Sequence, residues 1–580
     1  MKILRSISDI LATLDRHPRR CMWITALGAV VYYLLISLQG FDFADEGFSL
    51  TFYQNFYSHP ADVEYLFLYY LTGVIGGAWE LLFSSLGNYG YRILFALTSG
   101  GIVLTTFAIL RNYLSSSTIT LGCIACVLWP GLCLYYFNHD CLTILLFLLT
   151  IYSITLGTKG KSWAWWLAGW FIILNTSCRL PNITLSILIF MPFIEAYYTN
   201  DYFKAWKNML RIIGGCTLGI LLLFIVMHLQ GHTMIYGSAI RSLFVMGGDT
   251  SDTHSIMSML GSYSYTYKGI FTSVIYGFLI CMIYIIVTQH LKIKGIQFIM
   301  GVVSIALFYG MLSRNIYAMW GAVTAASIIY CINYRRDNRL FILGLSAFIM
   351  LFVIPFGGDS YGNICNSCMW LGMPLLIELC RHQLMWKITI SNTDQQQYDI
   401  VINNHSTRQL SIIMGIAFLL FASLHSVCYF DNGSRWEKTH RPATAEATTY
   451  TSQERAYIID NITRVTMQNK MPGNYLLVFD NAPMLHYLTG MQPYLGSPWS
   501  TFWGIEMFKN KLFQSEHSVR ELPLIAIPRF YYEDLTPVDY LNPAEYPSLY
   551  NKATILFDFM ERNGYYQAYQ DTYITLYKAY

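Results

Sequence analysis

The sequence predicts a polytopic α-helical membrane protein with a small α/β domain at its carboxyl end. Of its 580 residues, 54% are hydrophobic and 12% are charged, whereas soluble domains carry about a quarter charged residues. Apolar runs of about 20 residues, the length that crosses a bilayer as a helix, recur as far as residue 428. The mean hydropathy of +0.39 agrees with this class. The net charge of +3 gives no indication of a nucleic-acid partner.

The amino-terminal segment is basic and leads into the first apolar run. Arg16, Arg19 and Arg20 precede this run, which begins at Cys21, and no small-residue cleavage site follows it. The pattern is typical of an uncleaved signal anchor, which keeps its basic end in the cytoplasm. The first span therefore carries the chain to the outer face of the membrane.

The side of every later span depends on segment 64–86, which is apolar but contains Glu64, Glu80 and three glycines. If this segment lies along the membrane without crossing it, every cluster of lysines and arginines falls inside, as is usual in membrane proteins. If the segment crosses, nearly all the clusters fall outside. We therefore predict juxtamembrane helices in this segment and about 13 spans, at roughly 22–39, 92–110, 115–137, 141–157, 163–178, 181–198, 212–229, 269–288, 295–312, 316–333, 340–356, 369–381 and 409–428.

The chain changes character after Cys428, where the long apolar runs end. Helix-like and strand-like patterns then alternate, with helices predicted at 452–468 and 553–562 and strands at 475–480, 524–527 and 573–577. We predict two domains: a membrane domain, 1–428, whose first external loop is 40–91, and an α/β domain outside the cytoplasm, 429–580.

Three carboxylates follow the first span directly, in the stretch Phe41-Asp42-Phe43-Ala44-Asp45-Glu46-Gly47. Acidic side chains beside a membrane helix cost free energy unless water solvates them, and those that persist usually bind a ligand or take part in catalysis. The adjacent pair Asp45 and Glu46 is the candidate chemical centre, and Asp42 is close enough to be an alternative base.

The predicted orientation brings further polar residues to the same outer face. They stand at span ends or in external loops, and they are Arg92, His139, Asp140, Arg179, Asp359, Tyr361 and Asn363. The last three belong to a glycine-rich loop between two spans, which is a candidate substrate loop. Each residue alone is also compatible with a helix cap, a turn or a side chain that reaches the interface. Their common side favours a shared site.

Such groups suit transfer of a chemical group from a lipid-linked phosphate. A carboxylate acts as general base towards an acceptor hydroxyl or amine, and arginines at headgroup level hold a phosphate through bidentate hydrogen bonds. A divalent metal held by Asp45, Glu46 and His139 is an open alternative. Walker, GxGxxG and HExxH motifs are absent from the sequence, so nucleotide-binding and zincin chemistry lacks support.

The order and membrane side of these motifs resemble the GT-C membrane glycosyltransferases, and most nearly the superfamily of protein O-mannosyltransferases and lipid A aminoarabinose transferases. The resemblance covers the first 200 residues and is architectural from there to the last span. The matching motifs are Asp45-Glu46, Tyr91-Arg92 at the start of the second span, Asn138-His139-Asp140, and Arg179-Leu180-Pro181-Asn182, where lysine is more usual than arginine.

The resemblance implies a role for each matching residue. Asp45 would be the general base or would position the acceptor, Glu46 would support it, and Asp140 would be a second acid of the active site. Arg92, and less directly Arg179, would hold the donor phosphate. The donor would be a polyprenyl-phosphate-linked sugar and the reaction an inverting transfer to a glycan, lipid or protein at the outer face of the membrane. The absence of cysteines after Cys428 and the economical spans favour a bacterial inner membrane, and an endoplasmic reticulum membrane is the open alternative.

Two other functions are compatible with a polytopic chain. A transporter or flippase of lipid-linked glycans would place ionisable side chains at mid-membrane, in broken helices, whereas these spans carry almost no charge at their centres. A scaffold would use the carboxyl-terminal domain to bind partners. The acidic residues lie on one face of the membrane only, which favours group transfer over the transporter and the scaffold.

Overall fold

The computed structural model describes residues 9, 11–129, 134–248, 256–291, 293–315, 317–356, 369–381, 386–391, 397–402, 404–480, 482–518, 521–540 and 542–580. Within these residues the protein is mostly helical. Seven helices are long and apolar enough to cross a membrane, and four shorter apolar helices accompany them. The coarse class is therefore confirmed: a helical protein with membrane-spanning character and a small carboxyl-terminal sheet. The count of about 13 spans stays a prediction.

The helices of the amino-terminal half are α1 (Pro18–Ile36), α2 (Asp45–Asn55), α3 (Tyr70–Phe83), α4 (Gly87–Leu110), α5 (Ser116–Leu128), α6 (His139–Thr158), α7 (Ser162–Cys178), α8 (Met191–Thr199) and α9 (Tyr202–Leu229). Two 3-10 segments, Pro60–Tyr69 and Leu180–Phe190, lead into α3 and α8. The helices that follow are α10 (Thr233–Gly248), α11 (Ile256–His290), α12 (Lys294–Arg314), α13 (Ala318–Asn333), α14 (Asn338–Phe352), α15 (Gly372–Arg381) and α16 (Asn404–Leu424). An antiparallel hairpin of β1 (Trp386–Ser391) and β2 (Gln397–Ile402) separates α15 from α16.

The predicted external loop 230–268 differs from the structure, because α10 and the start of α11 are helical there. Apolar side chains recur along α10 at helical spacing and pack on the core beneath it; they are Ile235, Tyr236, Ile240 and Leu243. The glycines and polar residues of this region interrupt the apolar pattern without preventing a helix, and its position outside the membrane stays a prediction.

The predicted span 115–137 contains the helix α5, which ends at Leu128, and its described residues 134–137 are not helical. Trp129 is extended, with ψ at 116°, because a following proline disfavours the helical conformation of the residue before it. The helix α5 therefore has 13 residues and a length of about 20 Å.

Helix α3 occupies most of the ambiguous segment 64–86. It has 14 residues, about 21 Å, which is shorter than the hydrocarbon core of about 30 Å. Gly73 and Gly76 pack against aromatic rings of α2, whereas Leu81 and Leu82 are each 73% exposed. One face is thus fixed to the external loop and the far end presents apolar surface, as suits a helix lying along the membrane.

The tail forms a mixed sheet covered by helices. Its elements are α17 (Gln453–Gln468), β3 (Tyr475–Val478), α18 (Met484–Thr489), β4 (Gln492–Pro493), α19 (Ile505–Ser518), β5 (Leu524–Pro528), α20 (Pro547–Arg562), β6 (Tyr565–Gln570) and β7 (Ile574–Ala579). The strand order is β4-β3-β5-β7-β6, with β3 parallel to both neighbours and the other pairs antiparallel. The two helices and three strands predicted from the sequence are confirmed. Their boundaries agree to within about two residues, except that α20 begins at Pro547 and not at residue 553.

Among the described residues there are two large hydrophobic cores and a small third cluster, which lies between α11, α12 and α16. The first lies among the membrane helices, around residues such as Phe147 and Trp320. The second joins side chains of the first external loop, such as Phe41, to side chains of the tail, such as Leu476. The boundary predicted after residue 428 therefore divides the sequence but not this second core. We call the external loop 40–91 and the tail 429–580 together the outer unit.

Candidate functional site

The start of α2 is fixed by Asp42. Its Oδ1 accepts the backbone N–H of Ala44 at 2.7 Å, and its Oδ2 accepts that of Glu46 at 2.8 Å. An acidic side chain that binds the first free N–H groups of a helix stabilises the helix start. Burial, and next the neighbouring Asp45 carboxylate, raise the pKa of Asp42. Both oxygens of Asp42 are therefore committed to the backbone, and Asp45 becomes the first residue of the helix.

Glu46 is fully buried and pairs with Arg92. Nε and Nη2 of Arg92 donate to the two carboxylate oxygens at 2.9 and 2.6 Å, and Nη1 donates to the carbonyls of Ser37 and Gln39. The arginine therefore joins the end of α1, the start of α4 and the second residue of α2. Four hydrogen bonds to protein acceptors leave it poorly suited to the phosphate-binding role expected from the sequence.

Asp45 is the acid of this stretch whose side chain is still available. Its Oδ2 accepts a hydrogen bond from the hydroxyl of Tyr429 at 2.5 Å. Its Oδ1 has no hydrogen-bond partner in the part of the chain that the structure describes, and the residue is partly exposed, whereas Asp42 and Glu46 are buried. A carboxylate that is held by one oxygen and open at the other can accept a proton from a bound molecule.

The environment of Asp45 tunes its proton affinity. Burial among protein atoms raises the pKa of Asp45 from 3.8 to about 6; the Tyr429 hydrogen bond lowers it, and the Asp140 carboxylate raises it. A base whose pKa lies just below neutral is ionised at pH 7 and holds a proton well enough to take one from an acceptor.

Asp140 stands at the start of α6, where the asparagine before it caps the helix. Oδ1 of Asn138 accepts the backbone N–H of Asp140 at 3.0 Å and that of Cys141 at 3.1 Å. Nε2 of His139 lies 3.4 Å from Oδ1 of Asp140. The imidazole ring stacks on Tyr69 with the ring centroids 4.4 Å apart. The motif is therefore both a helix cap and a cluster of ionisable groups.

Two helix starts converge on this place. Asp45 begins α2 and Asp140 lies in the first turn of α6, and the two carboxylates are close enough to interact electrostatically. The amino-terminal end of a helix carries a partial positive charge, which stabilises an adjacent anion. Arg179, buried at the end of α7, interacts electrostatically with His139. The cluster thus combines two acids, an imidazole and an arginine from three parts of the sequence.

A metal site at the predicted ligands is not supported by the geometry. No group of three or more His, Cys, Asp or Glu side chains in the described ranges is arranged to hold a metal ion. Both oxygens of Glu46 bind Arg92, and the His139 ring is stacked on Tyr69. We therefore derive no step through a metal. The predicted substrate loop with Asp359, Tyr361 and Asn363 lies outside the described residues.

The tail holds the Asp45 segment in place through a buried charge cluster. Asp431 pairs with Lys438 at 2.6 Å and with Arg455 at 3.1 Å. Oδ2 of Asp431 accepts the backbone N–H of Phe41 at 2.9 Å, and Nη1 of Arg455 donates to the carbonyl of Phe41 at 3.1 Å. Both backbone groups of a residue four positions before Asp45 are thus fixed by side chains of the tail.

Close packing adds to these polar contacts. A methyl group at Gly47 would lie 2.2 Å from the backbone nitrogen of Met484, so a larger residue would collide with α18. The same backbone nitrogen donates to the carbonyl of Phe43 at 3.0 Å. Helix α2 can therefore approach the tail this closely only with glycine at position 47.

Tyr429, Asp431 and Arg455 were not among the residues predicted for the site. A partial signal existed for the first two, because the predicted orientation places residues just after the last span on the same outer face as Asp45. Nothing in the local sequence pattern connects them to a segment 384 residues earlier. No protein-family model and no curated protein matches this chain.

Proposed function

We propose that the protein is a glycosyltransferase that moves a sugar from a polyprenyl-phosphate donor to an acceptor at the outer face of the membrane. The observation that carries the proposal is the state of Asp45: one oxygen bound by Tyr429, the other without a partner among the described residues, and a pKa near 6. The site adjoins helices that are long and apolar enough to span a membrane, so a donor with a lipid tail could reach it from the bilayer.

The reaction follows from these groups. An acceptor hydroxyl oxygen attacks the anomeric carbon while Asp45 takes the hydroxyl proton. The bond between the anomeric carbon and the phosphate oxygen breaks, and its electron pair leaves with the polyprenyl phosphate. Attack from the side opposite the leaving group inverts the anomeric centre. The acceptor is a glycan, lipid or protein whose hydroxyl reaches Asp45.

The proposal changes the roles expected from the GT-C resemblance. Arg92 and Glu46 become positioning residues, because their side chains form an ion pair with each other. Arg179 is then the candidate for the donor phosphate, because it is the cation near His139 and Asp140. Asp140 is the second acid; burial is the main cause of the raised pKa of Asp45, and the Asp140 carboxylate adds to it. Asp42 serves the helix start and is not the base.

The proposed setting is a bacterial inner membrane. The amino terminus would lie in the cytoplasm, because Arg16, Arg19 and Arg20 precede the first span. The outer unit would then face the periplasm, and the approximately 13 spans of a GT-C-like membrane domain would carry it.

The decisive experiment replaces Asp45 with asparagine in the full-length protein. Asp45→Asn keeps the shape of the side chain and removes the base, so we expect transfer from a polyprenyl-phosphate sugar to fall about 10²–10⁴-fold. The assay is release of polyprenyl phosphate from a panel of labelled donors in proteoliposomes. Asp62→Asn is the matched control, because Asp62 lies in the same external loop and its carboxylate makes no hydrogen bond within the described chain.

Two outcomes would reject the proposal. Full transfer by Asp45→Asn would exclude this residue as the base. Movement of an intact lipid-linked sugar between leaflets by the wild-type protein, with no release of polyprenyl phosphate, would favour the transporter instead.

A further inference from the structure

A large apolar cavity lies on the flank of the membrane helices, away from Asp45. Its volume is about 1000 Å³. One wall comes from the segment that leads into and forms α8, with Ile187, Phe190 and Ile194, and the other wall comes from α14, with Leu345 and Phe348. Apolar side chains line nearly all of it, so its occupant is apolar over most of its length.

One end of the cavity is cationic. Arg335 and Arg336 line it there, and both residues are exposed. Neither guanidinium makes a hydrogen bond or an ion pair with the residues that the structure describes; only the backbone carbonyl of Arg335 is bound, by the hydroxyl of Tyr198 at 2.8 Å. The nearest acid in sequence, Asp337, caps α14 through the backbone N–H groups of Arg339 and Leu340.

The dimensions of the cavity match one leaflet of a bilayer. Its lining on the α14 side runs from Phe341 to Val353, which is about 18 Å at 1.5 Å per helical residue. Half of the hydrocarbon core is about 15 Å. The arginines therefore lie at the level of the headgroups when the apolar part lies among the acyl chains.

We propose that this cavity binds an anionic glycerophospholipid, with the acyl chains between α8 and α14 and the phosphate at Arg335 and Arg336. An apolar slot of leaflet length selects a lipid, and two guanidinium groups without protein partners in the described chain select a negative headgroup. The sequence-based orientation places these arginines at the cytoplasmic face, opposite to Asp45. The site does not depend on the proposed glycosyl transfer.

The test is native mass spectrometry of the delipidated full-length protein with added phosphatidylglycerol or phosphatidylcholine. We expect one phosphatidylglycerol to be retained at least tenfold more tightly than phosphatidylcholine. The double variant Arg335→Gln/Arg336→Gln removes this preference. The control Arg19→Gln/Arg20→Gln, which removes two exposed arginines at the start of α1, keeps it.

A second variant tests the apolar part of the site. Leu345→Trp fills the cavity and leaves both arginines in place, so binding of phosphatidylglycerol falls although the charge is unchanged; the thermal melting temperature reports whether the variant folds. Glycerol phosphate without acyl chains should not compete. Unchanged binding in Leu345→Trp, equal loss in the Arg19/Arg20 control, or a preference for polyprenyl phosphate over phosphatidylglycerol would overturn the proposal.

Discussion

The outer unit and the helices α11–α16 are held together by different forces. In and beside the outer unit, charged side chains are buried in pairs, as in Glu46 with Arg92 and Asp431 with Lys438 and Arg455. The described parts of α11–α16 are joined mainly by apolar packing and by neutral hydrogen bonds, such as that from Tyr284 to Gln409, although α15 also contains the buried acid Glu378.

The difference follows from what surrounds each region. A charge inside the hydrocarbon layer is costly and seldom useful for packing, so helices there associate through shape and neutral contacts. Near the membrane surface, a buried ion pair holds a geometry that breaks if one partner is lost. Such pairs fix the segment that carries Asp45. We infer that the outer unit serves to hold Asp45 in one position.

The largest effect on stability is expected from Asp431→Ala. The substitution leaves Lys438 and Arg455 buried without their shared anion, at a cost of about 3–5 kcal/mol in the free energy of unfolding. Thermal unfolding in detergent and limited proteolysis between the tail and α16 measure this. Glu437→Ala, an exposed acid in the same turn, is the control and should change neither. Equal effects of the two variants would show that the cluster does not hold the tail.

A smaller effect is expected from Gly47→Ala. The new methyl group collides with the backbone of α18, and overpacking of this kind costs about 1–3 kcal/mol. Gly310→Ala in α12 is the matched change among the membrane helices, since no atom lies within 4 Å of a methyl group there. The melting temperature should fall for position 47 and stay near the wild-type value for position 310. The reverse order would remove the contrast between the two regions.

Tyr429→Phe should shift the pH profile of transfer. The tyrosine hydrogen bond lowers the pKa of Asp45, so its removal raises that pKa above about 6. Asp45 is inactive as a base when protonated, and the acid limb of kcat/KM should therefore move to higher pH, by about one unit for a hydrogen bond to a charged group. Tyr457→Phe, on an exposed tyrosine of the tail, should leave the profile unchanged. A lower rate without a shifted limb would give Tyr429 a role unrelated to Asp45.

The smallest effect is expected from Lys511→Met, which removes the ion pair between α19 and Glu64 at 3.3 Å. The two side chains are 12% and 19% exposed, and Glu64 keeps a hydrogen bond from Ser238 at 2.7 Å when the lysine is lost, so we expect a cost of about 1 kcal/mol. The melting temperature should change little, and adding salt to the wild-type protein should have a similarly small effect. A loss as large as that of Asp431→Ala would place the main contact between loop and tail at this pair.

Sequence patterns predicted the parts of the fold that depend on local periodicity. Apolar runs predicted most of the long apolar helices. In the tail, a helix-like pattern predicted α17 and strand-like patterns predicted β3 and β5. The segment 230–268 is an exception: α10 forms there and packs against Pro60–Tyr69 and the core beneath it, although glycines and polar residues interrupt its apolar pattern. Local propensity is a weak guide where tertiary contacts decide whether a segment is helical.

The sequence by itself determined that acids follow the first apolar helix and that a second acidic motif begins another. Only the tertiary structure decided what each acid does. Asp42 binds backbone N–H groups, Glu46 binds Arg92, and Asp45 meets Tyr429 from the far end of the membrane domain. The physical reason is that a side chain's chemistry depends on its partners, and these partners are brought together by packing of segments hundreds of residues apart, which no local pattern encodes.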